Sequence, residues 1–138
     1  MAVQLEKKYL VDTQDKSVGV VLPLTKGNNG YFDVSYDTKT QIKTNLKNLL
    51  LTQKGERLMQ PDFGSDLKKL VFEPLSANIL ESKLESTIND AINKWMPYVN
   101  VDEIVYNVNE DNYNIELELK YSLKYSNAET LEQINIII

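Results

Sequence analysis

Between Gly55 and Glu73 the chain gathers the residues whose types and spacing could carry chemistry. Glu56, Asp62, Asp66 and Glu73 supply carboxylates close together in sequence, and two carboxylates flanking a sugar bond are what glycoside hydrolysis requires. No aromatic sugar platform accompanies them, so the acids are expected to be structural and the chain is not expected to be an enzyme. Asp62 and Asp66 depart from the Asp-x-Asp-x-Asp-Gly spacing of a calcium loop, which argues against a metal site. Arg57 is the only arginine beside 14 lysines. Its planar fork of donors suits bidentate pairing with a carboxylate, with Glu73 or Glu56 as partner. A structural latch and a contact to another subunit are both open readings of that residue.

Composition removes more chemistry than these motifs add. The chain has no cysteine and no histidine, which excludes disulfides, a thiolate nucleophile, a Ser-His-Asp triad, a haem ligand and an ordinary zinc site. No cofactor is expected. The 15 basic and 20 acidic residues give a net charge of -5, the wrong balance for neutralising nucleic-acid phosphates. Residues 101–138 hold eight acids against Lys120 and Lys124, a local charge of -6. A solvated sheet face accounts for this, and so does a basic partner on the C-terminal third. No apolar run approaches the ~18 residues of a membrane span, and Met1–Lys8 turns polar at once, unlike a secretory leader. The expected setting is cytoplasmic.

The 138 residues are expected to form one domain with a core of its own. Residues 1–36 read as an irregular arm with one edge strand, because Gly19 and Pro23 interrupt the apolar run and Lys26–Gly30 is rich in turn formers. A helix is expected from Asp37 or Thr38, where Thr38 and Gln41 have capping-box spacing, to a C-cap at Gly55. Ile42, Leu46, Leu49 and Leu50 share its apolar stripe, with Lys43, Lys47 and Lys54 beside it, read as a solvated flank in preference to a binding face. A short helical piece, Leu67–Phe72, follows. A second long helix runs from Ser76 to Trp95 before Pro97, with Leu80, Leu84, Ile88, Ala91, Ile92 and Trp95 on one face and Trp95 as a core anchor. From Tyr113 to Tyr125 apolar and polar residues alternate, the mark of a strand with one buried face. It is expected to pair with Ile104–Val108 through the turn at Asn109–Asn112. Leu131–Ile138 is a third strand. The expected class is α+β, with two main helices packed on a C-terminal antiparallel sheet: an arm (1–36), a helical half (37–97) and a sheet (98–138).

Three fragments taken together have a family likeness. They are Gln41-Ile42-x-x-Asn45-Leu46-x-x-Leu49-Leu50-Leu51-Thr52-x-x-Gly55-Glu56-Arg57, then Pro61-x-Phe63-Gly64-Ser65-x-Leu67, then Phe72-Glu73-Pro74. Over about residues 31–125 the chain resembles the lysozyme-like baseplate wedge family of contractile-tail phages, which includes sheath initiators and the related wedge subunit of type VI secretion baseplates. The resemblance implies an assembly protein of a phage tail baseplate or contractile injection particle, put together in the host cytoplasm and present in several copies around a hexagonal baseplate. It further implies docking on large wedge subunits, contact with the tail sheath protein, and tail tube or hub proteins as neighbours, with no nucleic acid and no membrane. On this reading Glu56, Arg57, Pro61, Phe63, Gly64, Glu73 and Pro74 form the wedge contact or a structural latch. Leu131, Ile134, Ile136 and Ile138 pair with a sheath strand, or else complete the chain's own sheet. The family's Glu-Pro-Arg motif ends here in Leu75, so a wedge contact made through that arginine has no counterpart.

Overall fold

The computed structural model describes residues 16–27, 30–73, 77–109, 114–124 and 132–138. Among them the elements are β1 (Gly19–Val20), β2 (Val34–Ser35), α1 (Thr38–Leu51), α2 (Leu67–Leu70), α3 (Ala77–Trp95), β3 (Val99–Asn109), β4 (Asn114–Leu123) and β5 (Glu132–Ile137). The chain separates into two units, Met1–Asn48 and Leu49–Ile138, with the boundary inside α1. The class is α+β, as expected. The N-terminal segment carries a two-stranded ribbon rather than a single edge strand.

In the first unit β1 and β2 pair antiparallel, Gly19 with Ser35 and Val20 with Val34. The ribbon is extended by Val18 N–H donating to Ser35 O at 2.8 Å and Val21 N–H donating to Asp33 O at 3.0 Å. Helix α1 is capped by Asp37, whose Oδ1 accepts the Thr40 N–H at 2.7 Å. The Gln41 side chain accepts the Ser35 hydroxyl and donates to Asn45 Oδ1 at 2.9 Å, linking β2 to the first turns of the helix. The Thr40 amide also holds the Asp37 carboxyl below its ordinary pKa. A lowered folded-state pKa means that this contribution to stability is present above the ordinary carboxylate range and fades as pH falls through the folded value. Ile42 and Leu46 are buried, as their stripe requires.

In the second unit Leu49 and Leu50 are buried, and so is the expected stripe of α3, Leu80, Leu84, Ile88, Ala91 and Ile92. The helix stops at Trp95, two residues before Pro97. Strand β3 starts at Val99, five residues before the expected Ile104. A register shift between Val101 and Glu103 explains the difference. A bulge adds one residue and reverses the facing of those after it, so Val99 and Val101 share a face with Ile104, Tyr106 and Val108. Strand β4 buries Ile115, Leu117, Leu119 and Tyr121, as the alternation predicts. Its expected end residues, Tyr113 and Tyr125, lie outside the described residues. The sheet order is β3-β4-β5, all antiparallel.

Tyr121 is 1% exposed, and its hydroxyl has no hydrogen-bond partner among the described residues. Burial, with the nearby Glu132 carboxylate adding to it, pushes its pKa up to about 12, so the ring stays neutral at ordinary pH. Removing an unpaired buried hydroxyl relieves a desolvation cost of about 1 kcal/mol or more. Tyr121→Phe is therefore expected to melt at the parent temperature or above it. A loss exceeding about 1 kcal/mol in chemical denaturation would mean that the hydroxyl is bonded in solution.

Candidate functional site

Two chain segments, Thr52–Gln53 and Gly64–Ser65, lie side by side and hold a loop between them. Ser65 N–H donates to Thr52 O at 2.8 Å and Lys54 N–H donates to Ser65 O at 3.3 Å, around a parallel bridge of Gln53 with Ser65. The buried Ser65 hydroxyl donates to Leu50 O at 2.6 Å, satisfying one of the carbonyls left open at a helix end. The bridge is why α1 ends at Leu51 rather than at Gly55, since Thr52 and Gln53 turn to the second segment instead of making another helical turn. Gly55, at φ 89, opens the loop, and its N–H donates to Pro61 O at 2.7 Å. At the far side Gly64 has φ 111. Its backbone passes so close to Thr52 that a Cβ there would stand 2.3 Å from Thr52 O. The tip is a turn closed by Gln60 N–H donating to Arg57 O at 3.3 Å, and it leaves Leu58 96% and Met59 94% exposed.

Side chains brace this loop. Glu56 Oε2 accepts the Gln53 N–H at 3.0 Å. The Arg57 guanidinium lies 3.8 Å from the centre of the Phe63 ring, and Phe63 meets Trp95 edge to face at 5.2 Å. The Lys94 ammonium sits 5.4 Å from the Trp95 ring and 3.6 Å from Asp62. The result is a ladder of cation, ring, ring and cation that ties the loop to the end of α3. Asp66 lies between Lys69 at 2.7 Å and Lys54 at 3.3 Å. The Lys69 hydrogen bond, with Lys54 adding to it, holds its carboxyl below the ordinary pKa.

The expected pairing of Arg57 with Glu73 or Glu56 does not occur. Glu73 is bonded to Lys83 at 2.7 Å and Glu56 is turned to the Gln53 amide, and the guanidinium lies over the Phe63 ring instead. Glu56, Arg57, Pro61, Phe63 and Gly64 come together in this loop, whereas Glu73 follows α2 and Pro74 lies outside the described residues. Trp95 is only half-buried, at the rim of the core rather than in it. Trp95 and Lys94 were missed as site members because their partners lie about thirty positions upstream, beyond any local spacing. All four candidate acids, Glu56, Asp62, Asp66 and Glu73, are engaged by an amide or an ammonium group.

At the other end of the chain Ile115 and Ile138 exchange both backbone bonds, each 3.0 Å. In an antiparallel ladder such pairs alternate with pairs whose backbone groups point outward. Given the register of β4 with β5, Ile134, Ile136 and Ile138 turn their backbone groups inward, and Gln133, Asn135 and Ile137 turn theirs to the outer edge. The side chains of Ile134 and Ile136 are buried in the chain's own sheet. The expected pairing residues are thus committed within the molecule, and the groups open at the edge belong to their neighbours. Leu131 lies outside the described residues. Among the described residues no strand covers the outer edge of β5.

A family model described as "Baseplate wedge protein gp25" matches residues 36–128, more than half of the chain. The chain belongs to that family. The baseplate wedge protein gp25 of Enterobacteria phage T4 is 33% identical over 100 residues, which cover 69% of this chain and 70% of the phage protein. A crystal structure of a putative tail lysozyme from Geobacter sulfurreducens superposes with a TM-score of 0.57 at 22% identity, covering 72% of this chain and 86% of that one. A chain in the baseplate of the anti-feeding prophage gives a TM-score of 0.59 at 14% identity, covering 96% and 88%. These two likenesses are of fold alone. Family membership makes the chain a baseplate wedge component of a contractile tail or contractile injection system. The gp25 match takes in the whole braced loop and β4 but ends before β5.

Proposed function

We propose that the chain is a non-catalytic assembly protein that docks on larger wedge subunits through the braced loop and pairs a strand with the first ring of sheath subunits through the outer edge of β5. The observation that carries this reading is the open edge itself. Among the described residues the outward backbone groups of Gln133, Asn135 and Ile137 meet no further strand, and none of these three positions holds a charged side chain or Pro, the features that ordinarily guard an edge against strand addition. Strand addition draws affinity from main-chain bonds and register from alternating side chains, which suits a template that starts a polymer. The loop adds a preformed tip whose Leu58 and Met59 have no role in the core. Assembly would take place in the host cytoplasm, on a hexagonal baseplate with several copies of the chain. The test is sheath polymerisation on baseplates carrying a variant whose outward edge donors are reduced. Incorporation without nucleation is the expected result, and normal nucleation would overturn the reading.

The same reading gives the acids structural work. Purified protein is expected not to clear a peptidoglycan suspension, because Glu56 and Glu73 are held by the Gln53 amide and Lys83. Clearing that disappears in folded Glu56→Gln or Glu73→Gln protein would make the chain a carboxylate glycosidase instead.

A further inference from the structure

The outward face of the sheet carries three cross-strand rows. In the first, Glu103, Lys120 and Gln133 lie side by side; in the second, Val105, Glu118 and Asn135; in the third, Asn107, Glu116 and Ile137. The first row is balanced internally, since Lys120 Nζ lies 2.6 Å from Glu103 Oε2. That contact, with Glu118 adding to it, raises the Lys120 pKa. The other two rows each hold a carboxylate and no cation of their own. Among the described residues neither Glu116 nor Glu118 forms an ion pair. Each row runs out to the open edge through an uncharged residue, Asn135 or Ile137, and Ile137 is 64% exposed. The opposite face runs out through Ile134 and Ile136, which are apolar and buried.

From this arrangement we infer that the edge of β5 selects a strand that is basic on one face and apolar on the other, with Lys or Arg entering the rows of Glu118 and Glu116. The inference rests on the strand-pairing reading above and adds the chemistry of the partner. An added strand would lie one strand spacing beyond β5 and two beyond β4, about 10 Å from the two carboxylate-bearing positions. A lysine or arginine stem crosses that distance over the short Asn135 and meets the carboxylate from its partner side. An acidic strand would place like charges along the same rows, which is unfavourable in a sheet. The local charge of -6 over residues 101–138 thereby acquires a direction, toward one edge.

The experiment titrates the isotope-labelled full chain with two blocked peptides, one alternating Val with Lys and one alternating Val with Glu, and follows the amides of Gln133, Asn135 and Ile137. The lysine peptide is expected to bind about fivefold tighter or better. That preference should shrink at ~1 M salt and vanish in the Glu116→Gln, Glu118→Gln double variant. Equal binding of both peptides at these amides would overturn the charge selection and leave strand pairing intact. No response of these amides to either peptide would remove the strand-pairing reading as well. Undiminished lysine-peptide binding by Asn135→Pro protein would show attraction to the acidic face without the edge, and would overturn the inference.

Discussion

Gly64→Ala is expected to destabilise the protein by roughly 3 kcal/mol or more, because two independent costs fall on one methyl group. The first is backbone conformation, since φ 111 lies where residues with a side chain are strained. The second is steric. A Cβ at that position would stand 2.3 Å from Thr52 O and 2.9 Å from Thr52 C, and neither atom can swing aside as a flexible side chain would. Thr52 O also accepts the Ser65 N–H, so relief by moving the two segments apart would break the bridge that holds the loop. Gly55→Ala provides the comparison within the same loop. Its φ of 89 carries the conformational cost, but nothing lies within 4 Å of the added methyl, and the loss should be about 1 kcal/mol. Thermal melts of the two variants would separate the effects. For a chain of this length the difference corresponds to about 5–10 °C in Tm. Equal melting temperatures would mean that the close approach of Gly64 to Thr52 does not persist in solution.

This loop also marks where the sequence stops being legible. The buried stripes of α1 and α3 and the inward residues of β4 follow from periodicities of 3.6 and 2, because each is generated within one element and one buried face. The start of β3 was hidden by a break in that periodicity. Val99 and Val101 are odd, Ile104, Tyr106 and Val108 are even, and strict alternation can be followed only from the second set. The ribbon of β1 and β2 has two residues in each strand, too few to establish any period.

In the candidate site the grouping of Glu56, Arg57, Pro61, Phe63 and Gly64 was readable because those residues share one loop. Their partners were not. Arg57 had two carboxylates within reach in sequence, yet Glu56 had a closer amide in Gln53, Glu73 had Lys83, and the ring of Phe63 was held in place by Trp95 from α3. Which contact wins depends on how α3 lies against the loop, and spacing along the chain carries no such information. The C-terminal strand shows the same limit. Its apolar residues identified it as a strand, but the side of Ile134 and Ile136 that faces the chain's own sheet became known only with the register.

That register makes Asn135→Pro the sharpest test of the proposed sheath contact. Proline removes a backbone donor and is tolerated in a sheet where that donor faces away from the neighbouring strand. The exchange of both bonds between Ile115 and Ile138, carried along the ladder with Leu117 opposite Ile136 and Leu119 opposite Ile134, places the Asn135 N–H on the outer side. The bonds holding β5 to β4 therefore survive the substitution, and Ile134 is already in the extended conformation that a following proline favours. The protein should fold, melt within about 1 kcal/mol of the parent and enter baseplates normally. The middle one of three outward donors is lost, and the ring blocks close approach at that position. An added strand would have to bond only at Gln133 and Ile137, on either side of the gap. Sheath nucleation on such baseplates is expected to fall at least tenfold, roughly the effect of losing one main-chain bond and leaving its partner carbonyl unsatisfied. Ile136→Pro serves as the contrast, since it deletes an inward donor and should unfold β5 and lower incorporation itself. If Asn135→Pro baseplates nucleate sheath at the parent rate, the outer edge of β5 is not the template, and the strand serves only to cover β4.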